Sequence, residues 1–326
     1  MLKKWTFLAL AAALPWGASD ASAKVKVDSR IPLYQKVSGI SGSASSIGSD
    51  TMNNLMALWL EAFRKYYPNV KIQIEGKGSS TAPPALIEGT AQFGPMSRAM
   101  KSTEQDKFEE RFGYKPTPLR TSLDALAVFV HKDNPIAGLN LSQVDAIFSK
   151  TLKGGGTASI SRWGQLGLSG QWSNVPISLY GRNSASGTYG FFKKKALFKG
   201  DYKDEVKEQP GSASVVQGIT EDLFGIGYSG IGYLTSGVRV VSLAKKGSEF
   251  KEGTLENVLD GAYPLGRFLF LYINKAPGKD LDPMVREFCK FIFSKEGQEI
   301  VIKDGYMPLP YSVVEEQLAK LEFSGS

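Results

Sequence analysis

Cysteine is almost absent from this chain of 326 residues: Cys289 stands alone, so no intrachain disulfide can form. It lies in Met284-Val285-Arg286-Glu287-Phe288-Cys289-Lys290-Phe291-Ile292, a stretch of helical spacing that predicts a buried small side chain and not a reactive thiol. Histidine is as scarce. His131 is the only one, and it ends a strand-like run beside Lys132 and Asp133, where a structural or exposed role is expected. The chain also lacks a G-x-S-x-G elbow, a Walker A loop, an H-E-x-x-H helix and any Cys/His cluster. A hydrolase would need an unusual nucleophile, and nothing marks a metal or cofactor site; the expectation is a non-enzymatic protein with neither. Beyond the first 23 residues no run of about 18 uncharged apolar residues occurs, which argues against stable membrane insertion. A basic tail and basic stretches interleaved with aromatics are missing too, so nucleic acid is not an expected partner.

The N-terminus reads as an export signal. Lys3-Lys4 form a basic start, Phe7 to Leu14 an apolar core too short for an anchor, and Ala21-Ser22-Ala23 a small-x-small cleavage site. The mature chain is expected to begin at Lys24, and no cysteine near the cut offers a lipid anchor. Loss of Lys3, Lys4 and Asp20 lowers the formal net charge from +7 to +6. A periplasmic protein is the expectation, with release from the cell also compatible.

Strand-like and helical patterns alternate along the rest, as in an α/β fold with room for two domains. Met52, Leu55, Met56, Trp59, Leu60 and Phe63 predict a helix ending before Pro68. Val70, Ile72 and Ile74 predict a strand, Ser102 to Phe112 a charged helix, Leu123 to Val130 a buried strand, and Asn140 to Phe148 a helix. Later, Ala213 to Leu223, Asp282 to Phe293, Lys295 to Lys303 and Ser312 to Leu321 read as helices, and Arg267 to Ile273 as a buried strand. Gly225-x-Gly227-x-x-Gly230 matches a dinucleotide fingerprint, but it follows a helix and precedes strand and turn, so the context for a pyrophosphate cradle is missing.

One arrangement recurs. Val175 to Tyr180 reads as a strand and Tyr189 to Leu197 as a helix; between them lies Gly181-Arg182-Asn183-Ser184-Ala185-Ser186-Gly187-Thr188. Unpaired N–H groups at such a helix start favour an anion, the hydroxyls of Ser186 and Thr188 add donors, and Arg182 supplies a planar fork. Gly48-Ser49-Asp50-Thr51 opens the first helix in the same way, although Asp50 also suits a plain N-cap. Gly76-Lys77-Gly78-Ser79-Ser80-Thr81 opens a third helix, at Ala82-Pro83-Pro84. Three such loops predict convergence on one anion.

Together with Phe93-Gly94-Pro95-Met96-Ser97-Arg98 and Gly225-Ile226-Gly227-Tyr228, these loops resemble the PstS family of periplasmic phosphate-binding proteins, receptors of the phosphate ABC transporter. The resemblance covers nearly the whole mature chain. It implies a type II periplasmic binding protein fold: two α/β lobes, each a mixed sheet flanked by helices, joined by two hinge strands. We place the signal peptide at residues 1–23, lobe I at 24–122 plus 265–326, and lobe II at 123–264, with the hinge near Arg120–Asp124 and Ala262–Arg267. The family's ligand positions fall on Asp50, Thr51, Ser79, Arg182, Ser186, Gly187 and Thr188, with Ser49, Ser80, Ser97 and Arg98 at the edge of the set. Best-known members carry, where Ser97 stands here, an aspartate that accepts a proton from phosphate, and a hydroxyl residue at the position of Asp50. The acceptor carboxylate is therefore expected to have moved to Asp50. The implied partners are inorganic phosphate and, transiently, an inner-membrane ABC permease, with the protein a monomer. A binder of sulfate, molybdate or phosphonate, or a secreted phosphatase or adhesin on the same scaffold, are the alternatives.

Overall fold

The computed structural model describes residues 25–322; the expected signal peptide lies outside them. The chain first forms β1 (Gly42–Ile47), α1 (Asn53–Tyr66), β2 (Val70–Glu75), α2 (Ala82–Ile87), β3 (Gly94–Met96) and α3 (Ser102–Phe112). The long strand β4 (Thr117–His131) carries it across the molecule to β5 (Gly138–Asn140), α4 (Leu141–Phe148), β6 (Ser178–Arg182), α5 (Gly187–Lys195), β7 (Lys207–Gln209), α6 (Ser212–Glu221), β8 (Gly225–Gly230), β9 (Val238–Val240), β10 (Ser242–Ala244) and α7 (Leu255–Leu259). Strand β11 (Gly266–Ile273) returns it, and α8 (Pro283–Ile292), α9 (Lys295–Lys303) and α10 (Tyr311–Ala319) finish the first side.

The principal sheet runs β3-β11-β4-β8-β6-β7, with β9 also on β4. From Thr117 to Ala125, β4 pairs antiparallel with β11; from Leu126 to Val130 it pairs antiparallel with β8. One strand thus serves two lobes. On the first side the parallel pair β1-β2 joins through a bridge between Ser46 and Phe93, and on the second β6 lies parallel to both β7 and β8. The result is a two-lobed mixed α/β protein of the type expected, with β4 and β11 crossing between the lobes.

Local sequence explains most elements. Leu55, Met56, Trp59 and Phe63 form the buried stripe of α1, and Trp59 donates from Nε1 to the Gly297 carbonyl at 2.8 Å. Phe63 meets Phe288 and Phe291 with ring centroids 5.2 and 5.5 Å apart, the heart of the first lobe's core. Side chains of this size each stabilise the fold by about 1.5–3 kcal/mol on burial. In α8, Pro283 follows an Asp282 cap whose carboxylate accepts from the N–H groups of Met284 and Val285. Cys289 is fully buried on this helix, and burial pushes its thiol pKa up.

Two strands differ from expectation. β4 begins at Thr117, six residues before the apolar run that marked it, because pairing with β11 holds the mixed polar and apolar segment from Thr117 to Ser122 extended. Gly225–Gly230 is neither loop nor cradle but the wholly buried strand β8. An added Cβ on Gly227 would stand 2.7 Å from the Tyr180 carbonyl oxygen, so glycine is there for strand packing.

Candidate anion site between the lobes

Each loop singled out above ends at the seam between the lobes. After β1, the Ser49 N–H donates to the Pro95 carbonyl at 2.7 Å, which turns Asp50–Met52 into a short 3-10 helix leading into α1 with Thr51 buried. Gly78, at φ +107°, makes the turn that a larger residue would strain; an added Cβ would also sit 2.6 Å from the Ala185 carbonyl of the other lobe. Ser79 follows, fully buried. On the second side β6 delivers Arg182, and Ser186 caps α5, its hydroxyl accepting from the N–H groups of Thr188 and Tyr189.

The side chains meet. Thr51 Oγ1 lies 2.9 Å from Thr188 Oγ1, Ser97 Oγ 3.5 Å from Thr188 Oγ1, and Ser79 Oγ 3.3 Å from Ser97 Oγ. Ser79 Oγ also accepts from the Ser97 N–H at 3.0 Å. Gly187 is packed so closely against this group that an added Cβ would stand 2.3 Å from Ser79 Oγ and 2.6 Å from Ser97 Oγ. Four hydroxyls from four separate stretches of chain, all buried, thus form one cluster.

Two guanidinium groups flank it. Arg182 Nη1 donates to Ser212 Oγ at 2.6 Å and lies 3.1 Å from Asp50 Oδ2, while Nη2 donates to the Pro210 carbonyl at 3.2 Å. Its Nε is buried with no hydrogen-bond partner among the described residues. Burial lowers the pKa of Arg182, Asp50 opposes that shift, and the like charge of Arg267 adds to it. Arg267 donates from Nε to Asp124 Oδ2 at 2.8 Å, from Nη1 to the Ser97 carbonyl at 2.8 Å and from Nη2 to Thr188 Oγ1 at 3.0 Å. Two mutually repelling cations beside rotatable hydroxyls suit an oxyanion placed among them.

Of the expected residues, Thr51, Ser79, Ser97, Gly187 and Thr188 come together, and Asp50 with Arg182 adjoins them. The Asp50 carboxylate accepts from the Ser212 N–H at 2.8 Å, so it sits at the start of α6. Oδ1 of Asp50 accepts no hydrogen bond among the described residues. The Ser186 hydroxyl is occupied by its own helix, and Ser49 is buried behind the loop. Arg98 is held by both oxygens of Glu104, at 2.8 and 2.7 Å, and reaches Ser80 Oγ only at 3.4 Å. These last two stand at the outer seam. Sequence reasoning missed Arg267, Asp124, Ser212, Tyr233 and Tyr306. Tyr233 and Tyr306 donate to the carbonyls of Asp50 and Thr51, at 3.0 and 2.9 Å. The signal for two of them was present: Asp124 and Arg267 are opposite charges in the otherwise apolar runs Leu123 to Val130 and Arg267 to Ile273, and buried charges demand partners.

Among the described residues no cluster of His, Cys, Asp and Glu could hold a metal ion, and no helix is long and apolar enough to cross a membrane.

Comparison with known proteins gives the family and the fold. Residues 36–296 match the PBP superfamily domain. A phosphate-binding protein PstS of Pseudomonas aeruginosa is 56% identical over 306 residues, covering 94% of this chain and 95% of that one, and one from Staphylococcus haemolyticus is 28% identical, covering 98% of each. Among solved structures, a protein of Clostridium perfringens assigned as a phosphate ABC transporter substrate-binding protein, with bound phosphate, superposes with a TM-score of 0.71 at 27% identity, over 82% of this chain and all of that one. Fold, loop motifs and kinship point the same way, and the chain belongs to the PstS family of phosphate-binding proteins.

Proposed function

We propose that this protein binds inorganic phosphate between its lobes in the periplasm and hands it to the permease of an ABC importer, acting as a monomer and not as an enzyme. The supporting observation is the buried cluster of Thr51, Ser79, Ser97 and Thr188 between Arg182 and Arg267. Hydroxyls donate or accept as the ligand requires, and guanidinium groups only donate. Hydrogen bonds to a charged group contribute roughly 1.5–3 kcal/mol each, so four good ones supply roughly 6–12 kcal/mol, a range that spans the roughly 8 kcal/mol of a micromolar complex before ordering costs. The relatives named as phosphate-binding proteins support the choice of ion.

On this reading lobe I comprises residues 24–122 and 265–326, lobe II residues 123–264, and bending occurs where β4 and β11 cross. Asp50, Thr51, Ser79, Arg182, Gly187 and Thr188 hold the ion, with Ser186 acting through the helix start that it caps. Ser97 and Arg267 join them. Asp50 is the proton acceptor: phosphate near neutral pH still carries a proton for Oδ1 to accept, whereas sulfate carries none and would meet only repulsion. Calorimetric titration of ligand-free protein with phosphate and with sulfate tests this. Tight phosphate binding with weak sulfate binding is expected; equal affinities, or none for phosphate, would overturn it.

A further inference from the structure

Outside the hydroxyl cluster, an open pocket of about 400 Å³ lies at the seam between the lobes. The first lobe contributes Arg98 and Lys101 and the second Lys193, Lys194 and Lys199, and no carboxylate lines it. Arg98 is matched by Glu104 and Lys193 by Asp201. Lys101, Lys194 and Lys199 have no acidic group within ion-pair distance among the described residues. Immediately inward, the Ser80 N–H donates to the Ala185 carbonyl at 3.1 Å and closes the seam. Ser186, which caps the helix carrying Thr188, lines the same cavity.

Lysines near the end of a helix ordinarily balance its dipole, and that covers Lys194. It does not cover the others. Lys101 belongs to the opposite lobe, and Lys199 follows Phe198 in the left-handed region, at φ 62° and 49°. Two consecutive residues other than glycine in that conformation are strained, and the turn carries Lys199 to the cavity wall.

We propose that this cavity is an outer anion station, which holds an oxyanion weakly at the mouth of the cleft and raises its rate of entry to the inner site. It rests on the phosphate-binding reading above and extends it from equilibrium to approach. Three unmatched cations lining one concave surface focus the field that draws in a small anion, and that contribution falls with ionic strength.

The test uses radiolabelled inorganic phosphate with the whole chain. Equilibrium dialysis gives Kd, a chase with unlabelled phosphate gives the dissociation rate, and their ratio gives the association rate. The triple variant Lys101→Glu, Lys194→Glu, Lys199→Glu should associate about tenfold more slowly at low salt, with an unchanged dissociation rate and a flatter salt dependence. As the control, reversing the exposed residues Lys245→Glu, Lys246→Glu and Lys279→Glu makes the same change in net charge away from the seam and should change little. An unchanged association rate in the triple variant, a faster dissociation rate alone, or an equal loss in the control would each overturn the station. Failure of the unaltered protein to bind phosphate would instead sink the reading on which it rests.

Discussion

The two guanidinium–carboxylate pairs beside the hydroxyl cluster look alike in chemistry and differ in where they are anchored. Arg267 and Asp124 sit on the crossing strands β11 and β4, directly opposite each other in register, and are 2% and 0% exposed. Asp124 also accepts from the Ile231 N–H at 3.0 Å. This pair is built into the framework. Arg182 and Asp50 come from opposite sides of the seam, and the Asp50 side chain is 23% exposed. Opening of the cleft would leave the first pair whole and pull the second apart. Burial alone therefore says little about the work of a salt bridge; the elements that carry its partners say more.

The largest effect should follow from breaking the framework pair. Asp124→Asn leaves Arg267 buried without its counter-ion, which should cost about 3–5 kcal/mol of stability, read as a lowered midpoint in thermal or urea unfolding without ligand. Arg182→Ala should instead weaken phosphate binding by about 1.5–3 kcal/mol, roughly ten- to hundredfold, with a smaller fall in unfolding midpoint than Asp124→Asn causes. If the two variants exchanged these signatures, the contrast between framework and seam would be reversed. Asp50→Asn should reduce the preference for phosphate over sulfate in calorimetric competition, and an unchanged ratio would remove Asp50 from the acceptor role. Thr188→Val and Thr51→Val should each weaken binding by about 1.5–3 kcal/mol, and their double variant should be non-additive because the two hydroxyls touch.

A third carboxylate sharpens the comparison because no cation lies within ion-pair distance of it among the described residues. Asp304 accepts from the Asn54 side-chain amide, and burial raises its pKa to about 6 against that opposing hydrogen bond. A carboxyl whose folded pKa is raised retains its proton longer in the folded state. Its contribution to stability is present below pH 4 and is lost as pH rises toward and through 6. Asp304→Asn should flatten that segment of the stability profile in denaturant titrations at successive pH values, the smallest of these effects.

Much of this was legible in the sequence. The amphipathic stripe of α1, the ends of α3 and α9 and the extent of α4 to within a residue follow from local rules. Thr51, Ser79 and Thr188 were singled out because each stands in a small-residue loop opening a helix, and the structure brings their hydroxyls into one cluster with that of Ser97. Arg267 and Asp124 lacked such a setting: their meaning lies in the register of two strands about 140 residues apart. Ser212 escaped because a serine starting a helix reads as an ordinary beginning. Its role depends on Asp50, which approaches from the other lobe.

Because β4 supplies the hydrogen-bonding edge to β11 over one span and to β8 over the next, neither sheet is complete without the same fifteen-residue strand. Separately expressed halves should accordingly be poor folders, since whichever lacks β4 would present a bare edge. The intact chain should melt as one cooperative unit and not in two steps.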